Sequence, residues 1–353
     1  MTRPLVIDGS HGEGGGQILR TSLALSALSG RTVRFVGIRA GRPKPGLAAQ
    51  HLTAVRAAAA LCSASLDGDT LGSTELTFAP KRAVRTGSYD FDVAEAREGG
   101  SAGAVTLVLQ TVLLPLAFAE GASTLTIHGG THVPWSPSAD FIHDVWLPTL
   151  DHMGLSARFV LIRSGWYPAG GGAIQVHVAG SARLAALNCE SRGKPRVVRG
   201  RAIAANLPSH IPQRMADRAR ALLDAAGIRS AITPERLTAS SPGAGLFLTA
   251  EYDHALAGFS AMGRPGKPSE QVADEAVDSV LAHRDSGAAI DAHLGDQLIL
   301  PAALATGSSR FSVERITRHI LTNAWVVELF GRARVAIDGA EGLPGTVEVA
   351  PVA

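Results

Sequence analysis

Residues 12–41 read GEGGGQILRTSLALSALSG and then RTVRFVGIRAG, and the order of parts in this stretch decides the fold. A glycine-rich loop opens an apolar run of helical length. Gly30 then punctuates the chain, and a strand-like run follows. The same rhythm returns twice. Residues 99–121, GGSAGAVTLVLQTVLLPLAFAEG, lead into ASTLTIHGG, and residues 293–307, HLGDQLILPAALATG, lead into SSRFSVERITRH. A second helical run follows each time: LAAQHLTAVRAAAALC, ADFIHDVWLPTLDHMG and HILTNAWVVELFG. Two strand-like runs joined by a turn close each segment, as in SLDGDTLGSTELTFAP at residues 65–80. The unit implied is β-α-β-α-β-β, present three times over about 1–80, 86–180 and 268–353.

Units of this kind form sheets covered by helices on one face, so the expected class is α/β (α+β). Residues 1–180 and 268–353 are expected to form one large domain of three units. Residues 181–267 are read as a small inserted domain, with a strand near 197–206, an Arg- and Ala-rich helix over 213–226 and a strand near 245–252. The run GRPGKP at 263–268 reads as the linker that leaves it. The most apolar stretch, residues 105–119, contains Gln110 and Pro115. It falls short of the ~20 residues that span a bilayer and is expected as a buried core helix. No apolar leader follows Met1, so a cytoplasmic protein with no membrane partner is expected.

The 353 residues carry 33 Lys plus Arg against 31 Asp plus Glu, a net charge of +2. With 46% hydrophobic residues, that composition excludes a disordered chain. The near balance excludes a polybasic nucleic-acid coat. Two cysteines, Cys62 and Cys189, cannot build a disulfide framework or a zinc cluster. Aromatic residues are only 5% of the chain, which argues against a base-stacking sheet of the RRM kind. The balance is uneven, however. Residues 1–56 hold eight basic residues against Asp8 and Glu13, an excess of six. Counted alone, this is scattered surface charge; concentrated on one loop, it becomes a site for an anion.

Three places have the composition for chemistry. The loop Gly12-Glu13-Gly14-Gly15-Gly16 lets the backbone approach a ligand at a helix N-terminus. It lacks the Gly-Lys-Ser/Thr of a phosphate-binding P-loop. Glu13 would repel a bare phosphate, and makes better sense as a ligand to a divalent cation that bridges to one. The run Ile38–Gly46 packs Arg39, Arg42 and Lys44 between turn formers, with Gln50 and His51 opening the next helix. Two arginines there suit charge-assisted forks to phosphate oxygens. Asp296 and Gln297 precede one helix of the third unit and His319 opens the next, at junctions equivalent to those of Gln17 and of Gln50 and His51. Motifs of serine hydrolases, zincins and zinc ribbons are absent from the sequence.

Long and unusual runs carry a resemblance. IDGSHGEGGGQILRTSLALS, IRAGRPKPGLAAQHLTAVRAAA, GSAGAVTLVLQTVLLPLAFA, GWYPAGGG, GDQLILPAALA and HILTNAWVVELF occur in order across essentially the whole chain, which resembles the RNA 3′-terminal phosphate cyclase family. The resemblance implies three β-α-β-α-β-β units with a small domain inserted before the third. It implies an enzyme that uses ATP and a divalent cation, Mg or Mn, to convert an RNA 3′-phosphate into a 2′,3′-cyclic phosphodiester. His319 matches the nucleophile that takes AMP from ATP. Gln110, Pro137, Asp296 and Gln297 match residues that contact the adenylate. His293 stands near the nucleotide where the family commonly has Tyr. Glu13 matches the metal-associated acid, and Arg20, Arg39, Arg42, Gln50 and His51 match the lining of the phosphate site. The turn Thr131–Trp135 and the stretch Glu95–Gly100 also depart from the family's pattern. The partners implied are an RNA 3′ end and ATP, with a homodimer as an option. Two other readings are a non-catalytic cyclase-like RNA-binding or assembly protein, and a small-molecule transferase of the enolpyruvyl type.

Overall fold

A computed structural model of the protein describes residues 3–96 and 101–352. Most of the stretch Glu95–Gly100 therefore lies outside the described residues. The first segment contains β1 (Leu5–Asp8), α1 (Gly16–Ser29), β2 (Val33–Val36), α2 (Ala49–Cys62), β3 (Ser65–Asp67) and β4 (Leu76–Ala79). Its sheet has the order β1-β2-β4-β3. β1 runs parallel to β2, with Ile7 opposite Phe35, and the other pairs are antiparallel. Gly30 ends α1 in the left-handed conformation (φ 70°), as the punctuation predicts, its N–H returning to the Ser26 carbonyl.

The second segment contains β5 (Ser88–Asp92), α3 (Val105–Phe118) and β6 (Ser123–Gly129), then α4 (Ala139–Phe141). A π turn at Ile142–Trp146 joins α4 to α5 (Leu147–His152), and β7 (Ala157–Arg163) and β8 (Gly172–Val178) follow. The order is β5-β6-β8-β7, again with the first pair parallel. α3 is the buried core helix expected from its composition, with Pro115 inside it. Among the described residues no helix is long and apolar enough to cross a membrane.

The short strand β9 (Asn188–Cys189) comes next, followed by β10 (Pro195–Ala205), α6 (His210–Ala225), β11 (Ser230–Leu237), β12 (Gly243–Tyr252), β13 (Leu256–Met262) and α7 (Ser269–Ser286). The last elements are α8 (Ala292–Ala303), β14 (Ser309–Val313), α9 (Arg318–Leu329), β15 (Ala333–Asp338) and β16 (Gly345–Pro351). The chain is thus a mixed α/β protein, with four four-stranded sheets among the described residues. One of them pairs β9 with β14 in parallel and continues through β16 to β15, the same pattern as the first two. The other has the different order β11-β10-β12-β13.

Two positions differ from the expected boundaries. β9 lies inside the segment 181–267, yet it pairs with β14 on the far side of that segment. α7 follows the Pro- and Gly-rich linker, yet its apolar face (Val272, Ala273, Ala276, Val277 and Val280) shares one core with Met215, Ala219 and Leu223 of α6. The physical reason is that a turn-rich stretch redirects the chain without deciding which sheet covers the next helix. A separate continuous core joins the other three sheets, with Ile7, Phe35, Leu125, Ile127, Phe311 and Val347 in it.

Candidate active site

The first helices of the three like-ordered segments, α1, α3 and α8, converge on a cleft. Each contributes one glutamine to its lining: Gln17, Gln110 and Gln297. Arg20, Thr21, Trp146, Asp296 and Asn323 complete the polar part of the wall. The Gln110 amide donates to Gln297 Oε1, so α3 and α8 meet through their glutamines. Gln297 Nε2 donates to the His293 carbonyl (2.9 Å).

Asn323 joins the remaining helices. It is buried on α9, donates to the Asp296 carbonyl (2.7 Å), and accepts from Thr21 Oγ1 (2.7 Å) and Gln17 Nε2 (3.1 Å) on α1. Thr317 caps α9 by accepting from the Ile320 N–H (3.0 Å), while its hydroxyl donates to Asp296 Oδ1. α8 is capped by Asp291, whose Oδ1 accepts from the His293 and Leu294 N–H groups. These caps fix the helix starts from which Asp296 and His319 project.

His319 is half-buried in the first turn of α9, with Nδ1 3.1 Å from Glu13 Oε2. The two atoms are close but out of line for a hydrogen bond, and both are buried without a hydrogen-bond partner. Arg42 approaches the other oxygen, Glu13 Oε1, from its loop. The glycines around Glu13 make this geometry possible. Gly12 adopts φ +58° and lies against Thr322 of α9, and a Cβ on Gly16 would run into the His51 ring and the Arg20 guanidinium. The Glu13 N–H reaches Thr322 Oγ1 at 3.4 Å, and His11 stacks on Trp325 at 4.0 Å between ring centroids. The glycine loop is therefore held down by the helix that carries His319.

Burial sets the charge states. It holds the His319 imidazole below the ordinary histidine range, and Arg20 and Arg42 push the same way against Asp296. The ring is thus neutral near pH 7, with a nitrogen lone pair available. Burial lifts the Asp296 carboxyl to about 6, with His319 and the Thr317 hydroxyl opposing. It brings Arg20 down to about 10 and His51, between Arg20 and Arg39, to about 3.

Of the residues singled out in the sequence, Glu13, Arg20, Arg42, His51, Gln110, Asp296, Gln297 and His319 gather at or beside this cleft. The other four stand around it. Arg39 has a left-handed backbone (φ 54°) and donates to the Gly46 carbonyl (2.8 Å). Gln50 accepts from the Ala104 N–H (3.0 Å) at the start of α3. The Pro137 carbonyl accepts from Thr106 Oγ1 (2.8 Å) one turn above Gln110. His293 is exposed at the rim. Sequence reasoning passed over Thr21, Thr317, Asn323 and Trp146. A hydroxyl and an amide inside otherwise apolar helical runs were the available signal.

Seven buried side-chain polar atoms among the described residues have no hydrogen-bond partner, and four of them are here: Glu13 Oε2, Arg20 Nε, Trp146 Nε1 and His319 Nδ1. Buried polar groups are normally paired, so such a concentration marks a place built to meet a ligand. Residues 11–337 match the RNA 3′-terminal phosphate cyclase family. The chain belongs to that family. It is 62% identical to an RNA 3′-terminal phosphate cyclase of Methylococcus capsulatus, over 98% of this chain and 96% of that one. The cyclase of Trichormus variabilis is 53% identical over 95% and 96%, and that of Methanopyrus kandleri 42% identical over 98% of each. The protein is accordingly an enzyme of the cyclase family.

Proposed function

We propose that this cyclase-family enzyme uses ATP to convert an RNA 3′-terminal phosphate into a 2′,3′-cyclic phosphodiester, through a covalent histidine–AMP and an RNA–adenylate. The observation that carries the reading is a neutral, half-buried His319 facing Glu13 beneath two arginines, in a cleft that holds four unpaired polar atoms. A 3′-phosphate is a poor electrophile with no good leaving group, and adenylylation supplies one.

His319 Nε2 attacks the α-phosphorus of ATP. An N–P bond forms, the Pα–O bond to the β-phosphate breaks, and pyrophosphate leaves. Nδ1 keeps its proton, and the Glu13 carboxylate beside it offsets the positive charge that the ring gains. Arg20 and Arg42 stabilise the charge on the phosphoryl oxygens. An oxygen of the RNA 3′-phosphate then takes the AMP from His319 and frees the imidazole. Finally the 2′-OH attacks the activated 3′-phosphorus, its proton passing to solvent, and AMP leaves as the ring closes. Gln110, Gln297 and Asp296 hold the adenylate, while Arg39, Gln50 and His51 line the approach of the RNA phosphate. Arg39 is then free to exchange the Gly46 carbonyl for a phosphate oxygen, while the Gln50 side-chain NH2 donates to one with Oε1 still held by the Ala104 N–H.

Glu13 fits a divalent cation, since Oε2 is a buried carboxylate oxygen without a donor. Among the described residues no group of three or more metal-binding side chains occurs, so the remaining ligands would be phosphate oxygens and water, as magnesium prefers. Bound there, the cation would screen phosphate charge. We further propose that residues 195–286 act as a unit inserted into the third β-α-β-α-β-β segment, and that the enzyme works in the cytoplasm, where two free buried thiols stay reduced.

The test is incubation with α-labelled ATP and magnesium or manganese. Wild type is expected to retain acid-labile label and His319→Ala to retain none, with 3′-phosphorylated RNA cyclised only by wild type. Equal labelling of the two would overturn the nucleophile. RNA binding without any label would favour the non-catalytic RNA-binding reading instead.

A further inference from the structure

Trp135 is 99% exposed, and its backbone is left-handed at φ 65°. A bulky side chain in that conformation is disfavoured, and an indole wholly in water gains nothing from folding. Yet the loop that presents it is firmly built. The Thr131 and His132 N–H groups donate to the Gly165 carbonyl at 2.9 and 3.0 Å, and Gly165 N–H returns to Thr131 Oγ1 at 2.8 Å. Ser136 Oγ donates to the Val133 carbonyl (2.9 Å), and Thr106 ties Pro137 to α3. The ring is held outward by a rigid frame.

A second exposed aromatic lies on the adjoining loop. Trp166 bridges to His132, is buried, and stacks on the His132 ring at 4.9 Å, while the next residue, Tyr167, is 67% exposed. Both loops border the start of α3. Ala104 bridges to Gly130, and a Cβ on Gly170 would lie 3.0 Å from Ala102 Cα. Ala104 in turn is the partner of Gln50. The exposed rings thus stand at the mouth of the cleft, beside Gln50 of the phosphate approach and Pro137 of the adenylate set, with Gln110 further along α3.

We propose that Trp135, with Tyr167 beside it, is a stacking platform for the bases immediately upstream of the RNA 3′ end; the proposal rests on the cyclase reading. Every base has a π-face, so such a platform grips single-stranded RNA without selecting a sequence, which suits an enzyme that acts on an end. It also supplies, in two residues, the stacking surface that the low aromatic content seemed to exclude.

Fluorescence gives a direct test. Trp146 and Trp166 are buried and Trp325 is stacked on His11, so the solvent-exposed emission comes chiefly from Trp135. Without ATP, a five-nucleotide RNA ending in a 3′-phosphate is expected to quench that emission. Trp135→Leu should remove the signal and weaken binding of this RNA about tenfold, and Tyr167→Leu should weaken it several-fold. A nucleoside 3′-phosphate, which has no upstream base, should bind wild type and both variants alike. Equal affinity of the five-nucleotide RNA for wild type and Trp135→Leu would overturn the platform. So would quenching by ATP in place of RNA, which would put the ring over the adenine. Concentration-dependent emission with dimerisation lost in Trp135→Leu would likewise overturn it, since the ring would then cover a second copy. If wild type neither takes label from ATP nor binds the RNA, the cyclase reading falls and the platform with it. If wild type labels and cyclises while the variants match it, only the platform falls.

Discussion

Asp296 carries a stability cost at the centre of the cleft. It is buried, its carboxyl is lifted to about 6 from an ordinary 3.8, and burial is the main cause. Below pH 3.8 the folded and unfolded chains both hold the proton, and the residue costs nothing. Between 3.8 and about 6 the unfolded chain ionises first, so stability falls as pH rises. Above about 6 the whole penalty is in place, about 3 kcal/mol at ~1.4 kcal/mol per tenfold difference in acidity. Asn in its place still accepts from Thr317 and carries no charge. Asp296→Asn is therefore expected to melt a few degrees above wild type at pH 7.5, with the gap closing toward pH 4, while labelling by ATP falls. Identical melting at pH 7.5 would show that the carboxyl bears no burial penalty. At this scale the sequence marked Glu13 as an acid odd among glycines, while His319 stood out mainly through the family resemblance, and the structure brings the two side chains together. Thr317 and Asn323 were not legible, because a cap and a buried amide reveal their partners only once α1, α8 and α9 are assembled.

Among the elements, α9 does most to assemble the site, since it carries His319, presses Thr322 and Trp325 on the glycine loop, and reaches α1 and α8 through Asn323. Replacing Asn323 with Leu keeps a similar shape but takes from the Thr21 O–H, one Gln17 N–H and the Asp296 carbonyl the partner that Asn323 supplied. Each unpaired buried group costs about 1–3 kcal/mol, part of it recovered by relaxation. Asn323→Leu should lose about 2–4 kcal/mol in a urea titration, with an unchanged slope. A loss under about 0.5 kcal/mol would mean the three helices are held by apolar packing alone. The elements themselves were read unevenly, for physical reasons. α1, α3 and α6 announce themselves through long apolar or amphipathic runs, and the helix expected over 213–226 spans His210–Ala225. β11 contains Pro234 and β13 contains Gly258, which weaken a strand pattern; both are edge strands, where the N–H that Pro234 lacks is tolerated. β9 has two residues and no pattern to find.

At the scale of the molecule, the separate core of residues 195–286 raises the question of what fixes that unit to the rest. Small apolar contacts contribute, with Trp166 packed among Ile203, Ala205 and Phe247. A polar chain runs beside them. His132 Nε2 lies 2.6 Å from Asp140 Oδ2, Arg201 donates to Asp140 Oδ1 at 2.9 Å, and Arg201 also donates to Glu235 at 2.6 Å. His132 and Asp140 are buried on the second segment, whereas Arg201 and Glu235 belong to β10 and β11 and are more than a third exposed. Burial pushes the Asp140 carboxyl up, but His132 and Arg201 outweigh it and hold the group below the usual range. That stability is present above pH 3.8 and is lost as pH falls through the lowered value. The Arg201–Glu235 arm is screened by water and contributes little. The Asp140 arm is different, because removing Arg201 leaves a buried carboxylate with one partner, and removing Asp140 leaves a buried imidazole with its Nε2 unpaired. A double-mutant cycle of Asp140→Ala and Arg201→Met should therefore be non-additive, with a coupling of about 1–3 kcal/mol at pH 7, while Arg201→Met with Glu235→Gln should couple by less than about 0.5 kcal/mol. Because Trp166 and Tyr167 are anchored at this junction through His132, Asp140→Ala should also weaken binding of 3′-phosphorylated RNA more than it weakens labelling by ATP. Additive stabilities for Asp140 and Arg201, or equal losses of both activities, would show instead that the apolar contacts alone orient residues 195–286.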